Sequence, residues 1–106
     1  MAWIALLTAG LLEILWAYAM KLSDGFTRPW PTAIMLVAMP ASFALLAWSM
    51  RSLPLGTAYT IWTGIGAMGA FVIGITVLGE AATPMRIGAA ALIGCGLVLM
   101  KLSTPA

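Results

Sequence analysis

Four runs of apolar residues, separated by short polar clusters, take up nearly the whole chain: about Ala2 to Met20, Pro31 to Met50, Leu55 to Leu78 and Met85 to Met100. Each approaches the ~17 to 25 residues that a helix needs to cross the hydrocarbon of a bilayer, the fourth being the shortest. The clusters between them carry stop and start chemistry. "KLSDGFTRPWP" divides the first two runs and "RSLP" precedes the third. In "GEAATP", before the fourth, Thr83 can cap a helix and Pro84 suits its first turn. Short connections make consecutive helices antiparallel. The pattern predicts an all-α membrane protein, with residues 1–106 forming a single four-helix transmembrane domain.

Composition strengthens that reading, because 63% of residues are hydrophobic and only 8% are charged. Ala17-x-Ala19 imitates a signal-peptide cleavage site, but no basic residue precedes the first run and Glu13 interrupts it, so this run is expected to persist as a span. One cysteine and no histidine exclude a disulfide framework within the chain and leave no kit for zinc or haem. Cys95, between Gly94 and Gly96, reads as a small packing residue. No cofactor, metal or nucleic-acid partner is expected.

Gly64-x-Gly66-x-x-Gly69 matches the spacing of a dinucleotide-binding fingerprint, which requires a strand before it and a βαβ unit around it. Here the glycines fall inside the third apolar run. Gly64 and Gly66 loosen that helix, while Gly66, Ala70 and Gly74 make a small-residue stripe against which another helix can pack. Close packing and a functional bend both remain open, and they can coexist.

Glu13 is the residue that composition makes expensive. It lies too far inside its span to snorkel, and a carboxylate at that depth costs a few kcal/mol. A permanent buried ion pair fails on counting, since Lys21, Arg28, Arg51, Arg86 and Lys101 all fall at span ends or in loops. A protonated acid bonded to another helix, or a segment that does not span, remains an alternative; the default for an intramembrane acid is a role in moving ions or protons. Helical spacing puts Gly10 and Ala17 on its face and Trp16 one turn away, giving room and an aromatic wall. Ser42 is an isolated hydroxyl in the second span, and Tyr59 and Trp62 share a face of the third, with Thr63 adjacent. Each has an ordinary reading: Ser42 bonding backbone, Tyr59 in an interfacial belt. Trp3, Trp30 and Trp48 fit belts or lipid contact better. Together, Glu13, Trp16, Ser42, Tyr59 and Trp62 resemble a cation site, with charge, aromatic faces and hydroxyls.

The basic residues divide almost evenly across the membrane. Arg51 and Lys101 fall on the side of the N-terminus, second loop and C-terminus, and Lys21, Arg28 and Arg86 on the other. Such a balance fixes no orientation by the positive-inside rule, so copies can insert both ways. Four helices are too few to enclose a transport pathway, and an antiparallel homodimer would supply the inverted repeat that many transporters use.

Over essentially its whole length the chain resembles the small multidrug resistance family, whose members are four-helix proteins that assemble as antiparallel dimers and exchange cations for protons. The resemblance rests on "GLLEILWA", "KLSDGFTRPWP", "ASFALLAWSM", "PLGTAYTIWTGIGA" and "GEAATPMR" in order and spacing. Trp16, "GTAYTIWTGIG" and the terminal "KLST" are similar to the branch that exports guanidinium; the multidrug branch typically has glycine at the Trp16 position. The resemblance implies a multi-pass protein of the bacterial plasma (inner) membrane, with Glu13 as the shared proton and substrate carboxylate. It implies that Gly10, Trp16, Ser42, Tyr59 and Trp62 line or brace the site. It also implies that Gly64 to Gly66 bend the third helix during alternating access and that the fourth helix, with Gly88 to Gly96, holds the dimer together.

Guanidinium suits this chemistry on physical grounds, because its forked N–H donors pair with a carboxylate and its plane stacks on aromatic rings. The expected function is therefore proton-coupled export of guanidinium, extending to small substituted guanidinium cations. The alternatives are a broad exporter of hydrophobic quaternary ammonium cations, a small ion channel, or a non-transporting assembly subunit. An enzyme is the weakest reading, since one mid-membrane carboxylate without a nucleophile or metal cluster is a poor catalytic kit.

Overall fold

The computed structural model describes residues 1–103, so Thr104 of the terminal "KLST" stretch lies outside them. Four α-helices follow one another: α1 (Ala2–Leu22), α2 (Pro29–Ser49), α3 (Leu55–Thr76) and α4 (Pro84–Ser103). All four are long and apolar enough to cross a membrane. The fourth is longer than its apolar run suggests, because Pro84 starts it a residue earlier and Lys101 to Ser103 continue it. At Pro84 the expected cap is present, the Thr83 hydroxyl accepting from the Arg86 backbone N–H at 3.2 Å.

The turns explain the other ends. α1 runs two residues past Met20 and stops at Ser23, whose buried hydroxyl donates to the Met20 carbonyl at 2.6 Å and accepts from the Phe26 N–H at 3.1 Å. Asp24, Gly25 and Phe26 then take φ values of 50°, 72° and 69°, a left-handed reversal that glycine adopts freely and Phe26 does not. α2 begins at Pro29 rather than Pro31, since both prolines fit a first turn whose N–H groups have no intrahelical partner. Pro40, inside α2, withholds the N–H that would meet the Leu36 carbonyl. α3 ends at Thr76 and the chain turns at Gly79, where φ is 72°.

α1 is the centre of the bundle. It packs most extensively on α2 and then on α3, whereas the backbone of α4 neighbours only α3. A core of Leu6, Ala9, Leu46, Leu53, Ala58, Ile61 and Trp62 fills the half of the bundle nearest the N-terminus and the α2–α3 turn. Lipid is as apolar as leucine, so close packing rather than exclusion from water must hold the spans together. Glycine supplies that closeness. A β-carbon at Gly10 would meet Ile65, one at Gly69 would meet Ile14, and one at Gly64 would meet Leu97. The expected Gly66, Ala70, Gly74 stripe is not the α1–α3 seam: Ala70 is exposed, Gly74 receives the Glu80 side chain from the following loop, and α1 is met at Gly66 and Gly69. The bundle measures 43 × 35 × 16 Å, a slab about two helix layers thick.

Candidate functional site

Glu13 sits past the middle of α1, half-buried, with its carboxyl laid against the backbone of α3 at Gly66. A β-carbon there would overlap the carboxyl group, so α3 can pass this close only because residue 66 has no side chain. Gly10, expected to open space beside the acid, instead takes Ile65 into its gap. The room comes from Gly66, a residue that the sequence suggested as a bend. Gly64 does different work, since its missing side chain admits Leu97 of α4. Both glycines lie within the continuous helix α3.

One carboxylate oxygen of Glu13, Oε1, is buried and accepts no hydrogen bond from the described residues, and the buried indole nitrogen of Trp16 finds no partner among them either. Buried polar groups are normally paired, because leaving one unsatisfied costs about 1 to 3 kcal/mol. An acceptor and a donor thus lie buried and unpaired one helical turn apart.

From Trp16 an arc of aromatic rings runs across three helices. Trp16 of α1 meets Phe43 of α2 edge-on, with centroids 6.1 Å apart and planes at 67°. Phe43 tilts against Trp62 of α3 at 5.6 Å, and Trp62 against Tyr59, also at 5.6 Å. Such pairs contribute about 0.5 to 1.5 kcal/mol each beyond the area they bury. Tyr59 ends the arc and is 52% exposed, while Trp62 is buried. Sequence reasoning missed Phe43. Its one available signal was adjacency to Ser42, and a phenylalanine in an apolar span announces nothing about which neighbour it will bridge.

Ser42 is fully buried and is not isolated. Its hydroxyl donates to the Ala9 carbonyl of α1 at 2.7 Å and accepts from the Trp62 indole N–H at 3.0 Å. One side chain of α2 therefore joins α1 to α3 just below the acid. Its one donor is spent on Ala9, so in this conformation Ser42 braces the ring of Trp62 and donates nothing to Glu13. The structure thus gathers Glu13, Trp16, Ser42 and Trp62 with Phe43 and Gly66, leaves Tyr59 at the rim, and turns Gly10 and Gly64 to packing.

The belt residues follow their sequence reading in part. Trp30 is 81% exposed and Trp48 is also exposed, whereas Trp3 is half-buried beneath the ammonium of Lys101, 4.6 Å from its ring centroid. At the α3–α4 turn Arg86 donates to the Ala81 carbonyl at 2.7 Å, pairs with Glu80 at 3.4 Å and lies over Phe71.

This geometry can be set beside known proteins. The family model for the small multidrug resistance protein matches residues 1–101. The guanidinium exporter of Escherichia coli (strain K12) is 56% identical over 104 residues, covering 98% of this chain and 99% of that protein. Guanidinium exporters of Citrobacter freundii and Salmonella typhimurium are each 54% identical over the same span. With four membrane-crossing helices and a family match along nearly its full length, the chain belongs to the small multidrug resistance family and is a multi-pass integral protein of the bacterial inner membrane.

Proposed function

We propose that the chain exports guanidinium in exchange for protons, as an antiparallel homodimer in which two Glu13 carboxylates share one midplane site. The observation that carries this reading is the mid-span Glu13 carboxyl, laid against Gly66 with a buried Oε1 that accepts no hydrogen bond among the described residues, one helical turn from a Trp16 ring that leads through Phe43 to Trp62. A planar cation with forked N–H donors satisfies such an acceptor in two directions, and its flat faces suit indole and phenyl rings. The relatives named as guanidinium exporters agree with that chemistry.

The slab supports the dimer. Two helix layers made from only four spans are too few to enclose a transport pathway by themselves. A second copy, inverted, would add the missing spans and bring the second carboxylate. The near balance of Arg51 and Lys101 against Lys21, Arg28 and Arg86 permits both insertions.

Coupling follows from sharing. A proton and a guanidinium compete for the same carboxylates, so binding one releases the other, and a site that opens alternately to the two sides exchanges them. Gly64 and Gly66 in α3 are the positions where the helix can bend between those openings. The substrate range extends to small substituted guanidinium cations.

The test is transport by purified protein in sealed vesicles under an imposed proton gradient, comparing guanidinium with a bulky quaternary ammonium. Uphill guanidinium movement with proton counterflow is expected. Preference for the quaternary ammonium would assign a multidrug exporter, and current down a gradient without proton exchange a channel.

A further inference from the structure

Helical spacing sets Ile61 and Ile65 on the face of α3 opposite Tyr59 and Thr63. On that Ile61 face, away from the aromatic rim, α1 and α4 flank a groove of about 240 Å³ that no backbone contact between them closes. Leu7, Ile61, Ile65 and Val98 form its walls, and Trp3 and Lys101 stand at its end. Trp3 is near the start of α1 and Lys101 near the end of α4, so both lie at one membrane surface. The Lys101 ammonium is poised over the Trp3 ring at 4.6 Å, and among the described residues no carboxylate pairs with it.

Charge at this surface is one-sided. The chain has three acidic side chains: Glu13 is mid-span, and Asp24 and Glu80 lie in the two turns at the opposite surface. Among the described residues, Arg51 and Lys101 therefore face the headgroups with no acidic side chain on their surface. An apolar groove open to the bilayer, ending in an ammonium held at headgroup depth, has the two chemistries of a phospholipid in the right order.

We propose that this groove binds an anionic phospholipid, one acyl chain lying along Leu7, Ile61, Ile65 and Val98 and the phosphate meeting the Lys101 ammonium that Trp3 holds in place. The indole takes one side of the ammonium by cation–π attraction and leaves N–H donors for phosphate oxygens. A zwitterionic headgroup carries its own cation and gains less from Lys101, so net charge sets the preference. A lysine at an anionic membrane surface contributes about fivefold in binding. The lipid would also join α4 to α1, which otherwise meet only through side chains. The site does not depend on the transported substrate, and its test stands apart from any transport assay.

The experiment is native mass spectrometry of the purified full chain, titrated with phosphatidylglycerol and phosphatidylcholine of identical acyl chains. The parent should favour phosphatidylglycerol about fivefold, Lys101→Gln should fall to parity, and Lys101→Arg should keep the preference. Val98→Trp, which fills the groove, should weaken both lipids. Arg51→Gln should keep the preference, because it removes charge from the same surface without touching the groove. Parity in the parent, an undiminished preference in Lys101→Gln, or loss of the preference in Arg51→Gln would each overturn the site. So would a Val98→Trp chain that dissociates to monomers while holding lipid normally, which would give the groove to a second copy.

Discussion

The indole of Trp62 hands its N–H to the hydroxyl of Ser42 across 3.0 Å, with both side chains buried. Ser42 in turn donates to Ala9, so the orientation of the ring is set by a hydroxyl whose own direction is fixed. Ser42→Ala strands the indole N–H and should cost about 1 to 3 kcal/mol, whereas Trp62→Phe in that background removes the stranded donor as well. Equilibrium unfolding of the two single variants and the double variant should give a coupling of about 0.5 to 1.5 kcal/mol. Additive losses would show that the bond holds nothing.

Gly66→Ala places a methyl group where the Glu13 carboxyl lies. Either α1 and α3 separate or the acid rotates away, and guanidinium binding should fall at least about tenfold, equivalent to ~1.4 kcal/mol, which is modest for overpacking.

The contrast between Gly66 and Ser42 marks what could be read in the sequence. Four spans, their turns and the cost of Glu13 follow from pattern and charge, because hydrophobic length and burial of an acid are properties of one segment at a time. Which glycine faces the acid is a property of two helices and their rotation about each other. Gly10 and Gly66 are equivalent by residue type, and only packing gives Ile65 to one and Glu13 to the other. Ser42 was legible as a hydroxyl at depth, but its bond to Ala9, 33 residues away, depends on how α1 and α2 cross. Phe43 was not legible at all, since its role is to touch two rings brought from other helices.

Trp16 should govern size selection. Its ring meets Phe43 and its buried N–H is unpaired among the described residues. Trp16→Gly removes a wall and a donor together, so guanidinium binding should weaken by about 1 to 2 kcal/mol as a desolvated cation–π contact is lost. The same change leaves space for bulky aromatic cations, which should gain affinity. Binding of guanidinium, an alkylguanidinium and a quaternary ammonium at fixed pH reads both effects, and an unchanged order of preference would remove Trp16 from selection.

The proposed competition at Glu13 fixes the sign of the expected pH dependence. Protons occupy the carboxylate at low pH, so the apparent affinity for guanidinium should rise with pH, by about tenfold per unit while one proton is displaced, and level off once the group is ionised. Glu13→Gln should fold, fail to bind and release no protons when guanidinium is added to weakly buffered protein. Proton release that persists in that variant would place coupling elsewhere.

The proposed antiparallel dimer can be tested on α4, whose outward face has a seam of its own. Met85, Gly88, Leu92, Cys95, Leu99 and Leu102 alternate spacings of three and four residues, and all are exposed in the single chain. That is the repeat by which two helices pack along a line. Pairing the seam head to tail about the middle of α4 sets Met85 opposite Leu102, Gly88 opposite Leu99 and Leu92 opposite Cys95. Glycine then receives leucine, whereas a parallel pair would set Gly88 against itself and leave a gap. In a Cys95→Ala background, chains carrying Met85→Cys and chains carrying Leu102→Cys should form mixed disulfides under mild oxidation when produced together, and neither should crosslink when produced alone. Self-crosslinking of either chain would make the α4 pair parallel, and with it the two Glu13 carboxylates would lose the inverted symmetry that the exchange mechanism requires.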